Sequence, residues 1–150
     1  LESRRADAMT KLEPYTKKSG IVGIRANMLA AEIAFERKDW ANAKTYWDAA
    51  AAKGKKSYTA SLAEFNAAVC CENMSDLDGA VANYEKAANA EDNLMAAHAW
   101  FSLGRVKEAK NDFTGAADAY KKLNDKSPDD SWAHLAKSRL IALKAEGKIQ

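Results

Sequence analysis

The apolar and polar positions follow one dominant rhythm, clearest in "WFSLGRVKEAKNDFTGAADAYKKLNDKSP" at residues 100 to 128. Trp100, Leu103 and Gly104 stand at the i, i+3, i+4 spacing that places side chains on one face of a helix. After the break at "ND", Phe113, Ala116, Tyr120 and Leu123 repeat that spacing. The pattern predicts two helices joined by a tight turn. Gly104 and Ala116 would let the two backbones approach, with Trp100 and Tyr120 filling the space on either side.

The same pattern recurs 36 residues earlier, where Ala67 and Ala68 stand for Leu103 and Gly104 and Leu77, Ala80, Tyr84 and Ala87 form the second helix. A further shift of 37 residues gives Ala30 and Ala31, then Trp40, Ala43, Trp47 and Ala50. A fixed period of this length signals a helical repeat array, in which no unit buries its apolar face alone. The array predicts a single domain over 1–150, with repeats at 21–56, 57–92 and 93–128 and a capping helix over 129–150, with Asp129 or Asp130 at its start. Residues 1–19 read as the second helix of an earlier copy, packing through Ala8 and Leu12. Pro14 is expected to end or kink that helix by removing an amide and clashing with the preceding turn.

Composition sharpens this to an all-α chain. Thirty-two residues are Ala and nine are Val or Ile, a bias toward helix formers and away from strand formers. The 23 basic and 21 acidic residues are well mixed at a net charge of +2, which gives no footprint for nucleic acid or an anionic membrane. Apolar runs such as "AAVCC" fall far short of the roughly 18 residues that cross a bilayer, so no membrane insertion is expected of this stretch. The start at Leu1 inside a helical pattern fits a trimmed chain whose leader or anchor was removed.

The order Trp100, Leu103-Gly104, Ala116, Tyr120, Pro128 resembles the tetratricopeptide repeat family, whose unit is a helix-turn-helix of about 34 residues. The match is best at residues 97–130; the other copies lack the Trp, the Leu-Gly pair and the Pro, and carry extra turn residues around "KGKKS" and "NAEDN". The resemblance implies a right-handed superhelical stack of antiparallel helix pairs whose first helices line a concave groove for a peptide or partner protein. In the register of the best copy the groove positions are His98, Phe101, Arg105 and Glu108. Their equivalents are Leu62, Phe65, Val69 and Glu72; Arg25, Met28, Glu32 and Phe35; and Trp132, Leu135, Arg139 and Ala142. This set is apolar with a few charges of both signs, which argues against the basic, Asn-bearing clamp of some relatives, since only Arg105 and Arg139 could serve it. Phe65, Phe101 and Arg105 are the expected anchor. The competing expectation is that several of these apolar residues pack against one another or a neighbouring helix.

The weak repeats, "FNAAVCCE" and the closing "SPDDSWAHLAKSRLIAL" are similar to bacterial envelope members of that family, some carrying a short anchor ahead of a periplasmic repeat domain. That similarity implies a periplasmic or membrane-anchored scaffold in translocation or envelope assembly, with the cytoplasm as the alternative. A self-associating module, its groove filled by its own N-terminal segment or a second copy, is the other expectation. Catalysis is not expected. His98 and His134 sit in no catalytic or metal motif, the glycines form no phosphate loop, and Cys70 and Cys71 read as small buried hydrophobes with no CxxC or Cys/His cluster. Cys70 or Cys71 with His98 is the one dyad to test, and no cofactor or metal is implied.

Overall fold

The computed structural model describes residues 2–55, 57–90 and 94–150. Among these it contains eight helices and no strand: α1 (Glu2–Thr16), α2 (Gly20–Glu36), α3 (Trp40–Lys53), α4 (Tyr58–Asn73), α5 (Leu77–Asn89), α6 (Ala96–Ala109), α7 (Phe113–Lys126) and α8 (Ser131–Ala145). Lys56 of the "KGKKS" turn and residues 91–93 of "NAEDN" lie outside the described residues.

The period is written into the backbone at the ends of α2, α4, α6 and α8. Among the described residues Lys38, Ser75 and Asn111 are the non-glycine residues with positive φ, at 59°, 61° and 60°, and Gly147 joins them at 67°. In each case the amide after the left-handed residue reaches back to close the helix: Asp39 to Ala34, Asp76 to Cys71 and Asp112 to Lys107, all at 2.9 Å, and Lys148 to Leu143 at 2.9 Å. This arrangement satisfies carbonyls that the last helical turn would otherwise leave without partners. The Asp then starts the next helix, Asp39 accepting from the Asn42 amide at 3.3 Å and Asp112 from the Gly115 amide at 2.9 Å. Between α2 and α3, and between α6 and α7, a short polar triplet thus both stops one helix and starts the next, which reverses the chain.

The helices fall into two compact units, Leu1–Asp76 and Leu77–Gln150. In the first, α1 packs on α2, α2 on α3 and α3 on α4. Its core is built from Ala31, Ala34, Ala43, Trp47, Ala50, Ala63, Ala67 and Cys70, so one large ring sits among small side chains. The α1–α2 turn is drawn in tightly: a Cβ on Gly23 would stand 1.8 Å from the Lys18 carbonyl oxygen, which only glycine tolerates. Buried Asn27 donates to the carbonyls of Thr16 at 2.9 Å and Gly23 at 2.7 Å. Pro14 lies in the last turn of α1, and the helix ends two residues later at Thr16.

In the second unit α5 packs on α6, α6 on α7, and α8 on both α7 and α6. Lys107 pairs with Glu85 at 3.0 Å and Lys110 with Asp78, joining α6 to α5 at its exposed edge. Gly104 and Tyr120 show why the α6–α7 pair carries the fullest motif. A Cβ on Gly104 would lie 2.3 Å from Tyr120 Cε1, so the room left by the missing side chain is taken by the Tyr120 ring. Ala116 is buried nearby, but the ring, not a bare backbone, fills the close approach. Asp130 caps α8 through the Trp132 amide at 2.8 Å.

Candidate functional site

In the second unit the first-helix register brings its members together. His98 on α6 stacks flat on Trp132 of α8, the ring centroids 4.0 Å apart at an interplanar angle of 5°. Phe101 meets Trp132 at 5.1 Å and Tyr120 at 5.7 Å. Positions 34 residues apart in a repeat are neighbours across the α6–α8 contact, which is why the two rings derived as equivalents touch. His98, Phe101 and Trp132 are half-buried, Arg105 is exposed, and Leu135 is 49% exposed, so the cluster still presents apolar surface.

Beneath this cluster Glu108 gathers three helices. It accepts from the Tyr120 hydroxyl at 2.6 Å and from Arg139 Nε at 3.1 Å, with a second bond from Arg139 Nη2. Burial pushes its carboxyl up, but the hydrogen bonds from Arg139 and Tyr120 outweigh this and hold it below the usual carboxylate range. Burial together with the bond to Glu108 raises the Tyr120 phenol, and the Glu108 bond raises Arg139, so the ion pair and its neutral donor stay in their bonded forms. Glu108 is 13% exposed and Arg139 43%, which turns the carboxylate inward and the guanidinium outward. Of the charges assigned to the groove, Glu108 and Arg139 are therefore spent on each other. The repeat register assigned both to the groove and did not pair them, because Arg139 lies 31 residues away on α8.

Burial lowers the His98 pKa, helped by the Arg105 charge, so the ring on Trp132 is a neutral imidazole at pH 7.

The first unit distributes its register residues differently. Arg25 and Glu32 are exposed on α2, but Met28 and Phe35 pack against the core, Phe35 meeting Trp40 edge-on at 4.8 Å. On α4, Leu62, Val69 and Glu72 are half-buried and Phe65 is only 6% exposed. Phe65 thus has little surface to offer as an anchor, and Phe101 finds its aromatic company within its own unit. The wide apolar arc of an Ala-rich helix serves packing on both sides, so a face inferred from spacing mixes core with surface.

The two cysteines are placed as packing residues. Cys70 and Cys71 are fully buried, and burial pushes the Cys70 thiol up to about 12 and raises Cys71 as well, the reverse of what a thiolate nucleophile requires. Among the described residues no His, Cys, Asp and Glu group could hold a metal ion, and no helix is long and apolar enough to cross a membrane.

Over 130 residues, 87% of its length, the chain is 33% identical to a TPR repeat-containing protein of Treponema pallidum (strain Nichols). It is a tetratricopeptide-like helical repeat. The left-handed turns spaced at 36 to 37 residues and the Gly104–Tyr120 contact are the structural counterpart of that similarity. This tetratricopeptide-like chain spans about half, 54%, of the length of that relative. No protein-family model and no solved structure matches it.

Proposed function

We propose that the chain is a non-catalytic interaction scaffold that takes a peptide or partner protein on the α6–α8 face of its second unit. The observation that supports this best is the half-exposed ring cluster of His98, Phe101 and Trp132, edged by Leu135 and Arg105. Rigid rings set beside aliphatic and guanidinium groups supply contact area at low entropic cost and dominate measured interface energies. Placement in a bacterial envelope, in translocation or assembly, is part of the same reading and rests on the similarity to envelope members of the family; fractionation of cells expressing the intact protein checks it.

The binding test uses peptides selected from a random library on the immobilised chain. Phe101→Ala and Trp132→Ala should weaken the selected peptides by about 2 kcal/mol. Their melting temperatures should fall less than the loss of a core aromatic, about 3 to 5 kcal/mol, would require. Unchanged affinity in both variants, or collapse of the fold in both, removes the α6–α8 face as the binding surface. Light scattering over a wide concentration range excludes the self-associating alternative if the chain stays monomeric.

A further inference from the structure

Trp132 forms one wall of the ring cluster, yet the side chains buried beside it on α8 are small. Ala133 and Ala136 lie next to it, and the first larger buried residue, Leu143, comes about three turns later. A methyl group makes few contacts, so two of them do little to fix how far α8 is turned about its axis. A directional bond further along does that. Arg139 stands seven residues after Trp132, on the same side of α8 and about 10 Å along it. Its Nε meets Glu108 Oε1 at 3.1 Å and its Nη2 meets Oε2, a two-point bond that sets angle as well as distance. Tyr120, wholly buried on α7, donates to the same Oε1 at 2.6 Å and so holds the carboxylate in place.

We propose that Tyr120, Glu108 and Arg139 are positioning residues for the α6–α8 face, the binding surface proposed above and the reading on which this one rests. Held from α7, the Glu108 carboxylate sets the rotation of α8, and that rotation lays Trp132 flat on His98. The stack is the contact that needs it. At 4.0 Å and 5° the indole and imidazole are nearly parallel, and a small turn of α8 lifts one off the other. Phe101 meets Trp132 at 37°, a tilted contact that survives such a turn. Tyr120 reaches the cluster by two routes, its hydroxyl through Glu108 and Arg139 and its ring through Phe101. Tyr120→Phe removes the first and keeps the second, and a residue buried this completely touches no partner.

Histidine NMR titration of the whole chain, read beside peptide affinity, tests this. The sequence has two histidines, so a His134→Gln spectrum assigns the His98 signal. Burial first, and then the Arg105 charge, hold His98 below the ordinary histidine range. In Tyr120→Phe, Glu108→Gln and Arg139→Lys the indole should lift, uncover the imidazole and let its titration rise toward the ordinary value. The direction is diagnostic, because losing the Glu108 charge would by itself lower it. Peptides selected on the wild-type chain should bind each variant about three- to tenfold more weakly, the scale of one charge-assisted hydrogen bond. Lys107→Gln, which breaks the α6–α5 pair with Glu85 at 3.0 Å, should move neither quantity. A His98 titration unmoved in Tyr120→Phe and Glu108→Gln overturns the positioning role even where affinity falls, since the acid would then be touching the peptide directly. An equal shift in Lys107→Gln overturns it too, because any loosening of α6 would then suffice. The titration is read without peptide and so stands apart from the binding surface: peptides indifferent to Phe101→Ala and Trp132→Ala remove the face, whereas the His98 signal alone decides what holds Trp132.

Discussion

The helix pairs α2–α3 and α6–α7 share a turn and differ in what fills it. Both close through a left-handed residue followed by a capping Asp. Inside, α6–α7 sets Tyr120 over Gly104 and gives the hydroxyl a carboxylate, Glu108. At the equivalent places α2–α3 has Trp47, Ala31 and Phe35, and the buried Trp47 Nε1 has no hydrogen-bond partner. The reversal of the chain is thus fixed by main-chain bonds and one Asp, while the interior is negotiated as a set: a larger ring with an indole nitrogen accepts an apolar neighbour and leaves one polar atom unpaired, and a phenol recruits an acid.

The comparison breaks most visibly at the Tyr120–Gly104 contact. Tyr120→Ala should cost about 3 to 5 kcal/mol in urea unfolding, as for any buried aromatic truncated in place. Gly104→Ala should cost about 1 to 3 kcal/mol: a helical Ala gains about 1 kcal/mol over Gly, but its Cβ would sit within 3 Å of three ring atoms of a fully buried side chain anchored through its hydroxyl. The two effects must couple. In the Tyr120→Ala background the clash is gone and Gly104→Ala should become neutral or stabilising; additivity instead would mean that the ring is not what the glycine accommodates.

A smaller effect sharpens the chemical difference. Glu108→Gln should cost about 1 kcal/mol near neutral pH, a modest figure because Arg139 is partly solvated. The folded carboxyl lies below its ordinary value, so its stabilisation is complete above the usual carboxylate range and is lost as pH falls through the depressed value. Melting temperatures of wild type and Glu108→Gln should therefore converge on acidification. Trp47→Phe, which removes a donor that bonds to nothing, should show no such pH-dependent gap.

The smallest effect concerns the turns themselves. Lys38→Gly and Ser75→Gly should stabilise by up to about 1 kcal/mol, because a left-handed conformation is costly for an ordinary side chain. Asn111→Gly should gain less, since Asn tolerates that region. A destabilised Lys38→Gly would mean that its side chain, not the backbone, holds the turn.

Much of this was legible in the sequence. Helix pairs, the spacing of the turns, the special place of Gly104 and the Asp130 cap follow from local rules that three to five residues determine. What escaped depends on residues far apart. Phe65, Met28 and Phe35 carry the spacing of a groove but pack inward, because helices such as α2 and α4 bury apolar side chains against neighbours on more than one side, and spacing does not tell those sides apart. The Tyr120–Glu108–Arg139 network joins residues that are not repeat equivalents, Arg139 being the counterpart of Arg105, so aligning the copies does not pair it with Glu108. The bare packing of α1 could not be read from Ala8 and Leu12, the face assigned to it, since both stay only half-buried.

Cys70 and Cys71 carry a consequence for the life of the molecule outside its native state. Shielded at zero accessibility and held as thiols, they are inert toward oxidants as long as α4 stays packed. Once the chain opens in an oxidising medium, Cys70 and Cys71 can bridge each other off the helix, pair with other thiols or oxidise further, and none of these forms fits back into α4. Each excursion then becomes a one-way exit. In such a compartment the protein's lifetime would be set by how often it unfolds, and no longer by how stable it is at equilibrium.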